Sequence, residues 1–458
     1  MAKGAAAGEV RINLVRVMDL LQEHLTRALC QAAFRRVRTT ERQRKWTLQA
    51  LVSFWTAVIL RAPQALSQAL LDSRDGREPL IPRIQASPEA FFQRCRNLRP
   101  AFFAEVFQRF TARLMAHVPD RYAAAMAPVQ ACFTAIVMID GSRLAAIAHR
   151  LKILRHERAV VLPGCLLAVY DLARGLCQAL YFDADAAAGE TTRAKAALAA
   201  LARDVLVIGD RLYCTADFFL ALSTRQCWGL FRRHRALGLR KQRCLGKRQH
   251  LGGLLEDWIV LAGSGQTTPV QTLRYLKWRR GGTRYELLTN VLDPTRLRAA
   301  EALALYPYRW RIERMFFDLK EVLNLNRIYA ANPNAVAMQV YAAAIVYNAM
   351  RVAQGEVAVA AGIEPEEISP AKFYPRLAAA CHTYVTAQLV EQRVRQLNRG
   401  RPLHLPDWSQ ERWATVAVTP LRVERRRGPR RKRRYCKARR QWKSFSRVRG
   451  GRRFIRLT

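Results

Sequence analysis

Acidic residues are scarce in this chain of 458: 35 Asp and Glu stand against 77 Lys and Arg, a formal net charge of +42 at pH 7. Charge on that scale points to a polyanionic partner, nucleic acid or an anionic membrane surface, and an acidic small molecule would not require it. Cysteine is sparse as well. Ten are spread so that no two lie within four positions, which excludes a disulfide scaffold, a C-x-x-C pair and zinc-ribbon spacing. They read as reduced, mostly buried residues of a cytosolic protein. A clean bilayer-spanning run is also missing. Trp46–Leu60 is shorter than the ~20 residues a span needs. Tyr329–Met350 is long enough but carries Asn332, Pro333, Asn334, Gln339 and Asn348, so it reads as a buried helix. The N-terminus has no apolar segment of the secretory kind. With the membrane set aside, the charge points to nucleic acid and to a cytoplasmic, nucleoid-associated setting.

Apolar residues make up 50% of the chain and aromatics 9%, enough for a sizeable core in about three domains. Residues 1–127 read as a helical, DNA-binding domain. Val10–Phe34 has helical apolar spacing, Arg35–Lys45 is basic, a second helix runs from Trp46 to Leu60, and another covers Ser87–Val118. The texture changes at 128. Phe133–Asp140, Gly164–Tyr170, Cys177–Phe182 and Asp204–Gly209 are continuous apolar runs of the kind found in strands buried on both faces. Helices are expected over Thr191–Ala202 and Thr215–Thr224, so residues 128–226 form an α/β layer. Residues 227–300 alternate basic, glycine-rich loops with short strand-like runs and read as a mostly β insertion. Helix resumes in 301–355, with Trp310–Leu323 as one helix, and 356–418 is a helical C-terminal region. Residues 419–458 carry 18 Lys and Arg against one acid, Glu424, and read as a disordered tail that binds phosphates without sequence choice.

The few acids fall in telling places. Asp140 ends one apolar strand and Asp210 another; Glu313 sits in a helix among cations, in Arg-Trp-Arg-Ile-Glu-Arg. Carboxylates at the ends of buried strands converge easily on one sheet edge, although each Asp alone also fits the capping of a turn. Three such oxygen donors suit Mg²⁺ or Mn²⁺, and a two-ion site suits in-line phosphoryl displacement. Tyr306, Arg309, Glu313 and Lys320 follow the spacing Y-x2-R-x3-E-x6-K. On a regular helix, Arg309, Glu313 and Lys320 share a face.

These residues resemble the signature of the IS4 superfamily of DDE transposases, the group that includes the Tn5 transposase. Ile139-Asp140-Gly141 is similar to the family's first catalytic segment. Asp210-Arg211-Leu212-Tyr213 is similar to its second, with Leu212 where a Gly is common. The Tyr/Arg/Glu/Lys set matches residue for residue, and the resemblance covers about residues 130–350. It implies an α/β, RNase H-like catalytic core interrupted by a mostly β insertion, with a helical N-terminal domain before it and a basic tail after it. It implies Asp140, Asp210 and Glu313 as catalytic metal ligands for Mg²⁺ or Mn²⁺, two ions in all, and Tyr306, Arg309 and Lys320 as DNA phosphate contacts. Trp310, Trp278 and Trp258 are candidates for stacking on a flipped base. The implied reaction is hydrolytic cutting at element ends, then attack of the freed 3′-hydroxyl on DNA, by a homodimer on paired double-stranded ends. An RNase H-like nuclease without strand transfer, or a non-catalytic DNA-binding derivative of a transposase, would keep parts of the same pattern. Lys320→Ala is expected to weaken end processing while leaving bulk DNA affinity largely intact, because the tail supplies that affinity. Cleavage and gel-shift assays run side by side check the division, and loss of all DNA binding would refute it.

Overall fold

The computed structural model describes residues 9–37, 44–118, 122–144, 160–263, 269–330, 332–397, 412–423 and 442–444. The centre of the basic Arg35–Lys45 segment and most of the basic tail lie outside the described residues.

The N-terminal region is largely helical: α1 (Arg16–His24), α2 (Arg27–Val37), α3 (Leu48–Arg61), α4 (Leu66–Asp75), α5 (Pro88–Asn97), α6 (Pro100–His117) and the single turn α7 (Ala127–Gln130). The helical spacing read over Val10–Phe34 breaks at both ends of α1. Glu9–Asn13 is a strand, β1, because Val10 and Ile12 also fit a period of two and the distant segment Trp413–Ala417 offers its backbone antiparallel. Asn13 Oδ1 then accepts from Val15 N (3.0 Å), which turns the chain into α1. The single helix expected over Ser87–Val118 is two. Pro100 holds Arg99 extended (ψ 139°) and divides α5 from α6.

The central sheet has nine strands: β2 (Ala135–Arg143), β4 (Cys165–Asp171), β5 (Cys177–Asp183), β6 (Val205–Gly209), β7 (Trp228–Arg232), β8 (Leu239–His250), β9 (Gly253–Ala262), β10 (Gln271–Arg280) and β11 (Thr283–Thr289). The short β3 (Val160–Leu162) lies outside it, paired with β13 (Trp442–Ser444). The order is β5-β4-β2-β6-β7-β11-β10-β9-β8. The first three strands form an antiparallel meander, and β6 and β7 run parallel to β2. In order of appearance this is 3-2-1-4-5, the topology of an RNase H-like core in a mixed α/β fold. The crossovers carry α8 (Glu190–Leu198) and α9 (Ala216–Thr224) on one face.

β7 lies inside the stretch 227–300 read as insertion, yet it pairs with β6 and closes the core. The inserted strands continue the same sheet through β11, which pairs with β7. A buried ion pair fastens them. Arg274 on β10 is fully buried; its Nε and Nη2 bond both oxygens of Asp257 on β9 at 2.6–3.1 Å, and its Nη1 donates to Leu297 O at 2.6 Å. Leu297 lies just before α10 (Ala299–Leu305).

The other face of the core is covered by α12 (Pro333–Ala360), the long apolar helix, whose most apolar stretch is wholly buried. Its polar residues have partners. Asn348 accepts from Cys177 N and donates to Cys177 O, both at 2.9 Å, completing the backbone of edge strand β5. Gln339 accepts from Tyr329 N (3.2 Å) and donates to Arg327 O (2.7 Å). After α13 (Pro370–Leu397) the C-terminal region departs from the expected helix: β12 (Trp413–Ala417) is the strand that pairs with β1. Among the described residues the cysteines are free, seven buried and two, Cys132 and Cys244, exposed.

Removing one partner of a buried pair leaves an uncompensated charge, a loss of about 3–5 kcal/mol. Asp257→Ala is therefore expected to destabilise the protein by that amount in chemical denaturation, and a change under about 1 kcal/mol would refute the anchoring role given to Arg274.

Candidate active site

β2 and β6 pair with a constant offset of 70, Ala135 with Val205 through Met138 with Ile208. Asp140 and Asp210 are separated by the same 70 positions, so the register, continued just past Gly209 at the end of β6, carries Asp210 to the level of Asp140, ~4.8 Å away in the pairing direction. Side chains alternate along a strand. Ile136, Met138, Leu206 and Ile208 enter the core cluster to which α12 belongs, whereas Val137, Ile139, Val205 and Val207 enter the one that holds α8 and α9. Asp140 and Asp210 thus fall on the α12 face. Gly141 N donates to Asp140 Oδ1 (3.0 Å), and Asp210 accepts from Arg211 N (2.7 Å) as the cap of a short 3₁₀ turn, Arg211–Tyr213.

The third acid arrives on the same face. The one regular helix expected over Trp310–Leu323 is two pieces, α11 (Trp310–Phe317) and a π-helical turn Asp318–Val322, and a 3₁₀ turn Tyr306–Arg309 leads into them. Arg309 and Glu313 do share a face, with Nη1 to Oε1 at 2.6 Å. The π turn re-aims Lys320, as such insertions do: its Nζ donates to Ser142 Oγ (2.6 Å) and Arg143 O (2.7 Å), at the end of β2. Tyr306, expected at a phosphate, is buried, and its hydroxyl donates to Gly209 O (3.2 Å), one residue before Asp210. Tyr306 and Lys320 therefore clamp the strand ends that carry the two aspartates.

Electrostatics mark Asp140 as the strained member. Burial and then the charge of Glu190, with Glu313 behind it, push its carboxyl up to about 7, against the pull of the Gly141 N–H and of Arg309. Arg309 loses solvation by burial, yet its bond to Glu313 and its negative neighbours, Asp210 among them, hold it above its ordinary value. Its Nε–H is buried without a hydrogen-bond partner among the described residues. Burial alone lowers Lys320. No group of three or more His, Cys, Asp or Glu among the described residues is gathered tightly enough to hold a metal ion. The donors nevertheless fit a hard dication in kind: all are carboxylates, and Asp140 is crowded by negative charge with no ion pair of its own among the described residues. Glu313 is held by Arg309 (2.6 Å) rather than turned to the aspartates alone.

The three tryptophans separate. Trp310 is 61% exposed beside Glu313, with the Arg309 guanidinium 4.8 Å from its ring centre. Trp258 lies on the insertion under Lys241 (3.9 Å) and bonds Glu256. Trp278 donates to His250 O (2.8 Å) and packs on the core. Sequence reasoning missed Glu190. It opens α8 outside any motif, and only the fold brings it to the strand ends.

Residues 164–349 match the transposase DDE domain family. The match contains Asp210, Glu313 and the residues around them, and leaves Asp140 before its start. A segment of 152 residues is 32% identical to the candidate transposase y4zB of Sinorhizobium fredii, covering 32% of this chain and 42% of that protein. The chain thus aligns with less than half the length of that relative. A piggyBac transposase, solved as a synaptic complex with hairpin DNA, superposes over 87% of this chain and 88% of its own, at 10% identity and a TM-score of 0.40.

A carboxyl raised from 3.8 to about 7 binds its proton more tightly in the folded chain than in the unfolded one. The stability this gives is complete below about pH 4 and is lost as pH rises through 7. In EDTA at pH 8, Asp140→Asn is expected to unfold at a higher temperature than wild type, a gap worth about 1 kcal/mol or more. The two should converge near pH 4, and equal midpoints at pH 8 would contradict the crowding of Asp140.

Proposed function

We propose that this chain is a DDE transposase of the IS4 superfamily that cuts DNA at element ends by phosphodiester hydrolysis and joins the freed 3′-hydroxyls to target DNA. The observation that carries the reading is the placement of Asp140 and Asp210 level on parallel neighbours, with Glu313 delivered to the same face by the helix that follows the insertion. The match of residues 164–349 to a transposase DDE domain supports it.

Asp140, Asp210 and Glu313 would hold Mg²⁺ or Mn²⁺, two ions in this reading. Divalent cations bound there supply a more acidic attacking water or hydroxyl and charge neutralisation at the leaving 3′-oxygen. In the first step the water oxygen bonds to phosphorus and the phosphorus–3′-oxygen bond breaks, leaving a 5′-phosphate and a 3′-hydroxyl. In the second, the oxygen of that hydroxyl bonds to the phosphorus of a target phosphodiester, the target's phosphorus–3′-oxygen bond breaks, and the proton given up by the attacking hydroxyl is balanced by the one taken up at the released target 3′-hydroxyl. Arg309 is the phosphate ligand at hand: it is charged, and its Nε–H has no partner among the described residues. A phosphate taking the guanidinium frees the Glu313 carboxylate, so DNA binding and completion of the acidic set become one event. Lys320 and Tyr306 act by fixing the ends of β2 and β6. Trp310 offers an open ring face to an unstacked base at the cut. Double-stranded DNA bound as a homodimer, with the basic tail adding salt-sensitive phosphate contacts, completes the proposal.

The test is nicking of plasmid DNA carrying the sequences that flank the gene, with Mg²⁺ or Mn²⁺. Wild type is expected to cut at defined ends, and Glu313→Gln to cut at least ~100-fold more slowly with unchanged DNA affinity. Tight DNA binding with no cutting by either protein would favour the non-catalytic reading. Metal-dependent cutting without end preference would favour the nuclease.

A further inference from the structure

A fourth carboxylate stands at the strand ends, and its surroundings are specific. Glu190 is the first residue of α8, on the opposite face of the sheet from Asp140. It reaches the site through position 141. Gly141 follows Asp140 on β2, and its missing side chain leaves the space that the Glu190 carboxylate fills; a Cβ there would collide with the carboxyl carbon and one of its oxygens. The other oxygen is held: Tyr213, fully buried, donates its hydroxyl to Glu190 Oε1 at 2.6 Å. Tyr213 closes the 3₁₀ turn whose cap is Asp210, and its ring packs against Gly209. One side chain therefore touches the backbone beside one aspartate and is tethered to the turn of the other.

We infer that Glu190 is a positioning residue of the cutting site, which through Gly141 and Tyr213 fixes the spacing of Asp140 and Asp210 and whose charge strengthens their hold on a divalent cation. The inference rests on the DDE reading above. A plain helix-start glutamate would be satisfied by water and the amides of its own first turn. It would need neither a buried tyrosine nor a glycine opening in the neighbouring strand. The role is that of an outer partner of metal ligands, whose removal typically lowers cation affinity or activity 10- to 100-fold.

The experiment uses the full chain, with two readouts: Mn²⁺ binding followed by electron paramagnetic resonance, and nicking of end-bearing plasmid as Mn²⁺ is raised. Glu190→Gln keeps the shape and an acceptor for Tyr213 but removes the charge. It is expected to raise the Mn²⁺ concentration for half-binding and for half-maximal nicking about tenfold, with DNA affinity unchanged and nicking restored at high Mn²⁺. Tyr213→Phe releases the tether and is expected to move both readouts in the same direction by a smaller factor. Adding it to Glu190→Gln should give less than the product of the two effects, because the residues act as a unit. If wild type cuts and Glu190→Gln matches it in Mn²⁺ dependence, the inference is overturned and the DDE reading stands. If Glu190→Gln does not fold, a wild-type Mn²⁺ dependence in Tyr213→Phe overturns it equally. Absence of Mn²⁺ binding and cutting in wild type would sink the DDE reading itself, and this role with it.

Discussion

The parallel pairing of β2 with β6 is the constraint on which the site depends. Strand side chains repeat every two residues, so a slip of one position would send one aspartate to the opposite face. The register is held by what lies on either side: Ile136 and Met138 with Leu206 and Ile208 in the core on the α12 side, and Val137 and Ile139 with Val205 and Val207 in the core on the side of α8 and α9. A slip would exchange these two buried sets, whose packing neighbours differ. Both carboxylates are therefore located by the burial of apolar residues before them, and Tyr306 and Lys320 lock the last turn of chain on each strand.

Much of this was legible in the residues. Apolar runs ending in Asp140 and Asp210 announced buried strands with acids at their ends, and the Tyr/Arg/Glu/Lys spacing located the third acid. What the residues did not disclose were relations between distant segments. The separation of 70 between the aspartates looks arbitrary until the pairing shows it to be a register offset. β1 was hidden inside a helical pattern because its partner β12 lies some four hundred residues away, and short apolar periodicities fit helix and strand alike. The π turn at Asp318–Val322 leaves no mark in composition. Glu190 carries no motif; its importance comes from a missing side chain at Gly141 on another strand. The roles given to Tyr306 and Lys320 shifted for a related reason. Helical spacing says which residues share a face, not which of them turns inward to hold a neighbouring strand.

Arg309 links the resting site to the reactive one. In the free chain its guanidinium is tied to Glu313 and stacked near Trp310, while Asp140 carries more negative surroundings than a buried carboxylate tolerates at neutral pH. In the proposed reaction an incoming phosphate and a cation would relieve both conditions together. Away from the site, Asn348 of α12 bonds the backbone of edge strand β5, and Arg274 bonds Asp257 and Leu297.

The pairing of β1 with β12 has a consequence for how the chain is made. Glu9–Asn13 leaves the ribosome some four hundred residues ahead of its partner Trp413–Ala417. At roughly 5–20 residues per second the first strand waits about 20–80 s with its edge unpaired. All three acids and their sheet are synthesised within that interval, so the core has time to assemble before the two distant strands can meet. Their closure is a late folding event, and shorter products ending before residue 413 would retain the acids while leaving β1 as an open edge, a template for aggregation.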